Sequence, residues 1–235
     1  MSSLAMQPLS TYRVNRVTGF LPEQDPLTCL PPYFAPWERV ANQLSALLMA
    51  GKLRAALERL PILDMQRLED ERHMHRAMLL LTILGNAYVW GASTPALRIP
   101  SGVAVPLWQV AERLGLPPIV AHAHMALHNW QRLDAAQPVA LDNLAAVQLF
   151  LGGLDEQWFY MVTVAIEAEG GPAIAALVSA QAAAEANAVD GVGAKLAALV
   201  RMLALLNRMY EQCDPYIFYH RIRPFVAGWP PPSQV

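Results

Sequence analysis

The spacing of the prolines is the feature that most constrains how this chain can fold. The 235 residues include 19 prolines, which form clusters at residues 8–36, 95–138 and 215–232, with single prolines at Pro61 and Pro172. Proline lacks a backbone N–H and its ring clashes with the preceding turn, so it is disfavoured inside helices. Long helices are therefore expected in the proline-free windows 37–60, 62–94, 139–171 and 173–214.

Apolar residues inside these windows recur every three or four positions, as on one face of a helix. The first window predicts a helix interrupted at Gly51, and the second a helix capped by Asp64 that runs from charged residues into AMLLLTILGNAYVW. The third window ends in WFYMVTVAIEA, which is apolar all round and is expected to be buried. The fourth window predicts a helix that ends at Asp214-Pro215, with Pro215 able to open the next helix. One apolar stripe runs along it, made of Leu196, Leu199, Leu203, Leu206 and Tyr210.

The rest of the pattern contains little that favours strands. Segment 99–120 is expected to mix loops with one short helix, and the chain has no run of alternating strands and no repeat of 20–50 residues. The fold class predicted from the sequence is therefore mainly α.

Composition excludes several classes of protein. Apolar residues make up 54% of the chain and charged residues only 15%, against about 25% in ordinary soluble domains. These values are typical of a folded chain with deeply buried helices and not of a disordered one. A net charge of −2 with no basic stripe makes nucleic acid an unexpected partner. Cys29 and Cys213 lie far apart, so we expect reduced thiols and no disulfide framework.

The longest uncharged stretch lies between Arg76 and Arg98 and is long enough to span a bilayer. It contains several polar residues, a proline and two glycines, and its strongly apolar part is nearer a dozen residues, so a buried core helix is the favoured interpretation. The N-terminus lacks a basic region followed by an apolar one. We therefore expect a cytoplasmic protein with no membrane partner.

Most catalytic motifs are absent, including GxGxxG, GxxxxGK[ST], GxSxG and HExxH. His124 and His128 are four residues apart and could present two ligands on one helix face, but no third zinc ligand is close in the sequence, which favours a structural role. His73 and His75 lie among charged residues and are expected to be solvated.

Two segments contain isolated polar groups in apolar surroundings. Phe159, Thr163 and Ile166 share one helical face, and the Thr163 hydroxyl either bonds the carbonyl four residues back or lines a small-molecule pocket. In PYIFYHRIRPF, Tyr219 and Arg223 are four residues apart, and Phe218 and Arg223 lie about 140° apart on an α-helix. Arg223 either binds a ligand carboxylate or reaches solvent.

Eight strings, followed by a closing GW, occur in the order of a known family: TGFLP at 18–22, LPPYFAPWE at 30–38, AYVWG at 87–91, IPSGVAVPLW at 99–108, GLPPIV at 115–120, NW at 129–130, FLGGLDEQWF at 150–159, MYEQCDPYIFYHRIRPF at 209–225 and GW at 228–229. Together they cover nearly all of residues 12–229 and resemble the indoleamine 2,3-dioxygenase family, haem enzymes that open the indole ring of tryptophan.

The resemblance implies a small N-terminal cap domain, residues 1–149, followed by the first helices of an all-α haem dioxygenase domain, residues 150–235. It implies haem b as cofactor, and L-tryptophan or a related indoleamine and O₂ as substrates. Both oxygen atoms enter across the indole C2–C3 bond to give N-formylkynurenine, in tryptophan catabolism by the kynurenine pathway. The complete form is expected to be a monomer.

The resemblance also implies roles for individual residues. Phe159 and Phe218 match aromatic residues that pack on the indole, Thr163 matches a catalytic position near the bound oxygen, and Arg223 matches the arginine that pairs with the substrate carboxylate. His122 occupies a substrate-binding position where the best-known members have a pocket tyrosine, so the indole end of the pocket is expected to differ. The imidazole there either tunes the choice of substrate or bonds a carbonyl.

No metal ligand is expected within the 235 residues, because the family's proximal haem histidine matches a position beyond residue 235. His220 does not replace it, since on an α-helix it lies about 200° from Phe218 and faces away from the distal pocket. Two alternatives stay open: a non-catalytic homologue that binds an aromatic ligand or a protein, and a related dioxygenase that acts on another indole.

Overall fold

The computed structural model describes residues 8–185 and 192–229 of the chain. Its first part consists of short helices that lead into two longer ones: α1 (Ala35–Asn42), α2 (Leu44–Met49), α3 (Leu53–Leu57), α4 (Glu71–Trp90) and α5 (Ser101–Leu114). The break between α2 and α3 is the expected interruption, because Gly51 adopts a left-handed φ of 65° that ends the turn after α2.

The second part contains one small sheet and the longest helices. β1 (Trp130–Arg132) pairs antiparallel with β2 (Leu144–Ala146), with Trp130 opposite Ala146. These strands are followed by α6 (Leu154–Glu185), α7 (Val192–Asn207), α8 (Met209–Gln212) and α9 (Pro215–Ile217), and by a π-helical turn, Phe218–Ile222, and a 3₁₀ turn, Arg223–Val226. Helices dominate the described residues, which confirms the mainly α class.

Helix α4 forms the centre of the core, as expected for the uncharged stretch. Every residue from Ala77 to Ala87 is buried, and the Thr82 hydroxyl is satisfied by donating to the carbonyl of Met78 at 2.7 Å. The buried Asn86 amide donates to the carbonyl of Phe225 at 2.8 Å, and its oxygen accepts from the indole of Trp229 at 2.7 Å. Asn86 thereby ties the C-terminal segment to the core.

The capping residue of α4 was predicted wrongly. Asp70 caps this helix by accepting from the backbone N–H of His73 at 2.9 Å, whereas Asp64 caps only the short 3₁₀ turn Met65–Arg67. The helix start predicted at Pro215 is confirmed, because Pro215 is the first residue of α9. The structure adds a cap at Asp214, whose carboxylate accepts from the N–H groups of Tyr216 and Ile217.

Two helices are longer than the prolines predicted. α5 spans 14 residues and contains Pro106, and α6 spans 32 residues and contains Pro172. The predicted boundary at Pro172 is therefore wrong. Packing against neighbouring elements, most extensively between α6 and α7, sustains α6 where its own hydrogen-bond ladder is interrupted.

The domain division at residues 149 and 150 stays a prediction. One apolar cluster contains Leu21 and Phe34 as well as Val162 and Phe225, so buried residues from both sides of the division share a core. The ring of Phe150 stacks on that of Phe225 with centroids 5.2 Å apart.

Among the described residues, one helical stretch, Leu154–Ala184, is long and apolar enough to cross a membrane. Core helices of soluble proteins pass the same length and composition test, so the stretch is weak evidence for a span. The expectation of no membrane partner stays a prediction.

Candidate active site

The start of α6 is fixed by a buried carboxylate. Glu156 accepts from the N–H groups of Phe150, Leu151 and Gly152 at 2.7, 2.9 and 2.9 Å. Burial raises the pKa of Glu156, and these three hydrogen bonds oppose the rise. The string FLGGLDEQWF therefore forms a loop that holds the first turns of α6, and with them Phe159 and Thr163, in place.

A cavity of about 190 Å³ lies between α6 and the residues that precede β1. Three of the predicted site residues, His122, Phe159 and Thr163, line it together. The remaining lining residues are apolar except for one tyrosine: Val120, Ala121, Met125, Ala126, Tyr160 and Val226. Its volume is below the roughly 300–1,000 Å³ of typical small-molecule sites.

Thr163 combines the two predicted arrangements, a hydrogen bond to the carbonyl four residues back and a position in the wall of a cavity. Its hydroxyl donates to the carbonyl of Phe159, four residues back, at 2.8 Å, and Thr163 also lines the cavity. Because the back-bond uses the single hydroxyl proton, the oxygen that remains can act only as an acceptor toward a ligand. Its catalytic role stays a prediction.

His122 is held by a carboxylate on α6. Its Nε2 lies 2.8 Å from Oε1 of Glu167, which follows Thr163 by one helical turn. This hydrogen bond raises the pKa of His122, against a smaller opposing effect of burial. The hydrogen bond therefore favours the protonated form of the imidazole at the edge of the cavity.

The C-terminal segment packs against the start of α6. The rings of Phe159 and Phe218 are tilted by 39° with centroids 4.6 Å apart, and Asp155 accepts from the backbone N–H of Asp214 at 2.8 Å. Phe218 does not line the cavity itself, but it supports the aromatic residue that does.

The segment that carries Arg223 differs from the expected α-helix. Residues 218–222 form a π-helical turn, in which i→i+5 hydrogen bonds replace i→i+4 bonds. In this wider turn, two residues that are five apart are separated by a smaller angle about the helix axis than the 140° of an α-helix. The angle predicted between Phe218 and Arg223 is therefore wrong. Arg223 is exposed, with its guanidinium 5.1 Å from the ring centroid of Tyr219, which agrees with their shared face.

Sequence reasoning missed two site residues. Tyr160 lines the cavity and its hydroxyl is buried without a hydrogen-bond partner, and Glu167 orients His122. The spacing of 159, 163 and 167 places a carboxylate one turn beyond Thr163, which is the pattern that could have indicated Glu167.

The other histidines form a separate group. The rings of His75 and His128 stack with centroids 3.6 Å apart, and His124 is buried with both ring nitrogens unpartnered. The side chains of His73 and His75 are only 18% and 16% exposed, so their predicted solvation is wrong. Within residues 8–185 and 192–229, no group of three or more histidine, cysteine or acidic side chains could hold a metal ion.

Fold and cavity together define a mainly helical protein with an aromatic pocket that carries a hydroxyl and an imidazole. The sequence matches the indoleamine 2,3-dioxygenase family over residues 8–234, and the chain belongs to that family.

Three relatives illustrate the similarity. The chain is 37% identical to an indoleamine 2,3-dioxygenase of Aspergillus nanangensis and 36% identical to human indoleamine 2,3-dioxygenase 2, in each case over 94% of its length. It is 33% identical to a 6-hydroxytryptophan 2,3-dioxygenase of Fusarium equiseti over 95% of its length. The alignments cover 56% of each relative, so the chain spans about half the length of the curated relatives it matches.

The family is haem-dependent, and a histidine is the side chain expected to bind the haem iron. Only His122 among the six histidines lines the cavity, and Glu167 engages its Nε2. His220 is exposed and packs on Tyr216 and Tyr219, with centroids 4.4 and 5.0 Å away. Within the described part of the chain, none of these histidines is placed as an axial ligand for a haem beside Phe159.

Proposed function

We propose that this chain forms the substrate side of a haem-dependent dioxygenase that converts L-tryptophan and O₂ to N-formylkynurenine. The observation that carries the proposal is the convergence of His122, Phe159 and Thr163 on one apolar cavity, with Phe218 packed behind Phe159. Family membership supports the same class of reaction.

The roles follow from the contacts. The ring of Phe159 provides a flat apolar surface for an indole, and the apolar lining of the cavity excludes water. Thr163 offers an acceptor oxygen beside that surface. Arg223 lies on the turn after Phe218 and is exposed, so it is available for a substrate carboxylate. The cytoplasmic location and the monomeric state remain predictions.

Arg223→Ala tests the proposal in the haem-loaded full-length enzyme. Loss of a charged hydrogen bond costs about 1.5–3 kcal/mol, so the KM for L-tryptophan should rise by about 10- to 150-fold. Tryptamine lacks the carboxylate, and its KM should change by less than about threefold, within the cost of a single neutral contact.

Arg221→Ala is the matched control, because Arg221 is exposed on the same turn and lies outside the cavity. It should leave both KM values unchanged. Equal losses for tryptophan and tryptamine in the Arg223→Ala variant would show that Arg223 is structural. Absence of N-formylkynurenine from the unmodified enzyme would refute the proposed reaction.

A second candidate substrate is an indole with a hydroxyl on its benzo ring. One relative is named for 6-hydroxytryptophan, and His122 places an imidazole with a raised pKa in the cavity wall. The comparison is the ratio of kcat/KM for 6-hydroxytryptophan to that for tryptophan, in the parent enzyme and in His122→Phe. A preference for the hydroxylated substrate that disappears in His122→Phe supports this candidate, and an unchanged ratio contradicts it.

A further inference from the structure

A second cavity lies between the N-terminal segment and the start of α4. We call it the arm cleft: it has a volume of about 630 Å³, with Pro22, Pro26 and Leu27 among its apolar residues and His75, Arg76 and His128 among its polar ones. The volume is within the range of ordinary small-molecule sites, roughly 300–1,000 Å³.

The arm cleft is separate from the candidate active site. Segment 121–128 divides the two, since it contributes His122, Met125 and Ala126 to the active-site cavity. His128, at the end of the same segment, lines the arm cleft. A ligand in the cleft would therefore occupy a site that the proposed dioxygenase reaction does not use.

Arg76 supplies an unused hydrogen-bond donor to the cleft wall. Its side chain is only 2% exposed, and Nε and Nη2 donate to Glu38 at 3.2 and 2.7 Å. Nη1 is buried and has no partner. An unsatisfied donor on a buried charged group is unfavourable, and an acceptor atom placed against it removes that cost.

The stacked imidazoles supply a flat surface in the same wall. The His75 and His128 rings are nearly parallel, at 9°, and the Nδ1 atom of His75 is buried without a partner. Burial lowers the pKa of both histidines, to about 3 for His128, so both rings are neutral near pH 7. Neutral imidazole rings beside proline and leucine suit an aromatic ring better than a charged or aliphatic group.

The ionised side chains around the cleft nearly balance. Arg13 is paired with Glu71 at 3.3 Å. Arg72 donates to the backbone carbonyl of Asp25 at 2.7 Å and Glu23 accepts from the side chain of Asn15, and within the described part of the chain neither of them forms an ion pair. These charges therefore do not select the ligand, and the preference for an anionic acceptor rests on Nη1 of Arg76.

We propose that the arm cleft binds a small planar aromatic carboxylate. The carboxylate accepts from Nη1 of Arg76, and the ring lies among the imidazoles, Pro26 and Leu27. This proposal goes beyond the proposed dioxygenase function and does not depend on it.

The test uses calorimetric titration of the haem-free 235-residue protein at pH 7 with 2-naphthoate and with 2-naphthalenemethanol, which replaces the carboxylate with a neutral alcohol. We expect one naphthoate per chain, bound about tenfold or more tightly than the alcohol, because charged hydrogen bonds exceed neutral ones by that order. Imidazole resonances of His75 and His128 should shift on binding.

Two variants place the ligand. Arg76→Lys keeps a cation for Glu38 but removes Nη1, so naphthoate should lose about tenfold in affinity while the alcohol is unaffected. Leu27→Trp fills the cleft and should weaken both ligands, whereas the exposed Leu97→Trp should weaken neither. Circular dichroism establishes that each variant is folded.

The proposal is overturned by equal affinity for the acid and the alcohol, by undiminished binding in folded Leu27→Trp, or by no binding at all. None of these results bears on tryptophan turnover, so the cleft and the proposed function fail or succeed separately.

Discussion

Glu38 and Arg76 form an ion pair in the interior of the protein, with side chains only 7% and 2% exposed. Glu38 also accepts from the backbone N–H of Leu30 at 2.9 Å, so the pair joins the loop before α1 to the first half of α4. Two desolvated charges stabilise little as a pair, but the loss of one leaves the other buried and uncompensated.

Glu38→Gln should therefore lower the free energy of unfolding by about 3–5 kcal/mol. Urea denaturation measures the change. The matched control is Glu211→Gln, which removes an exposed ion pair with Arg208 at 3.1 Å and should cost less than about 1 kcal/mol. If both substitutions lowered the free energy of unfolding equally, burial of the ion pair would not determine the loss of stability.

Site residues could be predicted where they lie close together in the sequence. The four-residue spacing of Phe159 and Thr163 placed both on one face of α6, and they line one cavity. Glu167 and Tyr160 were missed for different reasons. The partner of Glu167, His122, is 45 residues away in the sequence, so no spacing rule connects them. Tyr160 lies inside an apolar run in which a buried ring is the ordinary expectation.

At the scale of elements, the contact between residues 15–20 and α6 depends on two glycines. A Cβ atom on Gly171 would lie 2.4 Å from the backbone nitrogen of Gly19, and one on Gly19 would lie 2.4 Å from the carbonyl oxygen of Glu167. Gly19 also has a φ of 64°, in the left-handed region. The string TGFLP therefore packs backbone to backbone against the helix that carries Phe159 and Thr163.

Gly171→Ala and Gly170→Ala should change stability in opposite directions. The first forces residues 15–20 away from α6 and should cost about 1–3 kcal/mol. The second meets no atom within 4 Å and should gain about 0.5–1 kcal/mol from better helix propensity. Thermal unfolding measures both, and limited proteolysis should cut residues 15–20 faster in Gly171→Ala only. A stabilising effect of Gly171→Ala would contradict the close approach.

The proline spacing predicted the positions of the helices better than it predicted the residues at which they end. The windows at 37–60 and 62–94 contain α2 to α4 and all of α1 after its first two residues, because apolar periodicity there agrees with the absence of proline. Pro106 and Pro172 instead lie inside helices. A proline costs its helix about 3 kcal/mol, and tertiary packing of a long buried helix exceeds that amount. Sequence spacing alone carries no information about such packing.

For the molecule as a whole, the buried histidines link folding to pH. Burial lowers the pKa of His124 to about 4 and that of His128 to about 3, from 6.5. Below pH 6.5 the unfolded chain binds protons that the folded protein does not. The stability contributed by the neutral rings is therefore complete above pH 6.5 and falls as the pH drops toward 4 and 3. His122 acts in the opposite direction, since its pKa is raised and its contribution is lost as pH rises through the folded value.

The unfolding free energy measured in urea should therefore decrease between pH 6.5 and pH 4. Each depressed histidine contributes a slope of up to about 1.4 kcal/mol per pH unit. His128→Phe keeps a ring stacked on His75 and removes one titrating group, so the slope should become shallower by about that amount. Leu97→Phe, at an exposed position without a titrating group, should leave the slope unchanged. An identical slope in parent and His128→Phe would refute the assignment.

The placement of all six histidines also predicts how the 235-residue polypeptide responds to haem. His122 is engaged by Glu167, His75 and His128 stack on each other, and His220 packs on two tyrosines. His73 bonds Asp70, and His124 is buried and lies outside the active-site cavity. A five-coordinate haem needs one free axial histidine, and these contacts leave none facing the Phe159 wall.

Haemin titrated into this polypeptide should bind weakly and should not give the ferrous absorption spectrum of a histidine-ligated haem. Added imidazole supplies the missing ligand, so it should tighten haem binding and shift the spectrum toward the histidine-ligated form. Phe159→Ala should weaken the imidazole-dependent binding, because it removes the aromatic surface, whereas the exposed Leu97→Ala should not. Stoichiometric binding without imidazole, abolished by replacing one of the six histidines, would show that the polypeptide carries its own axial ligand.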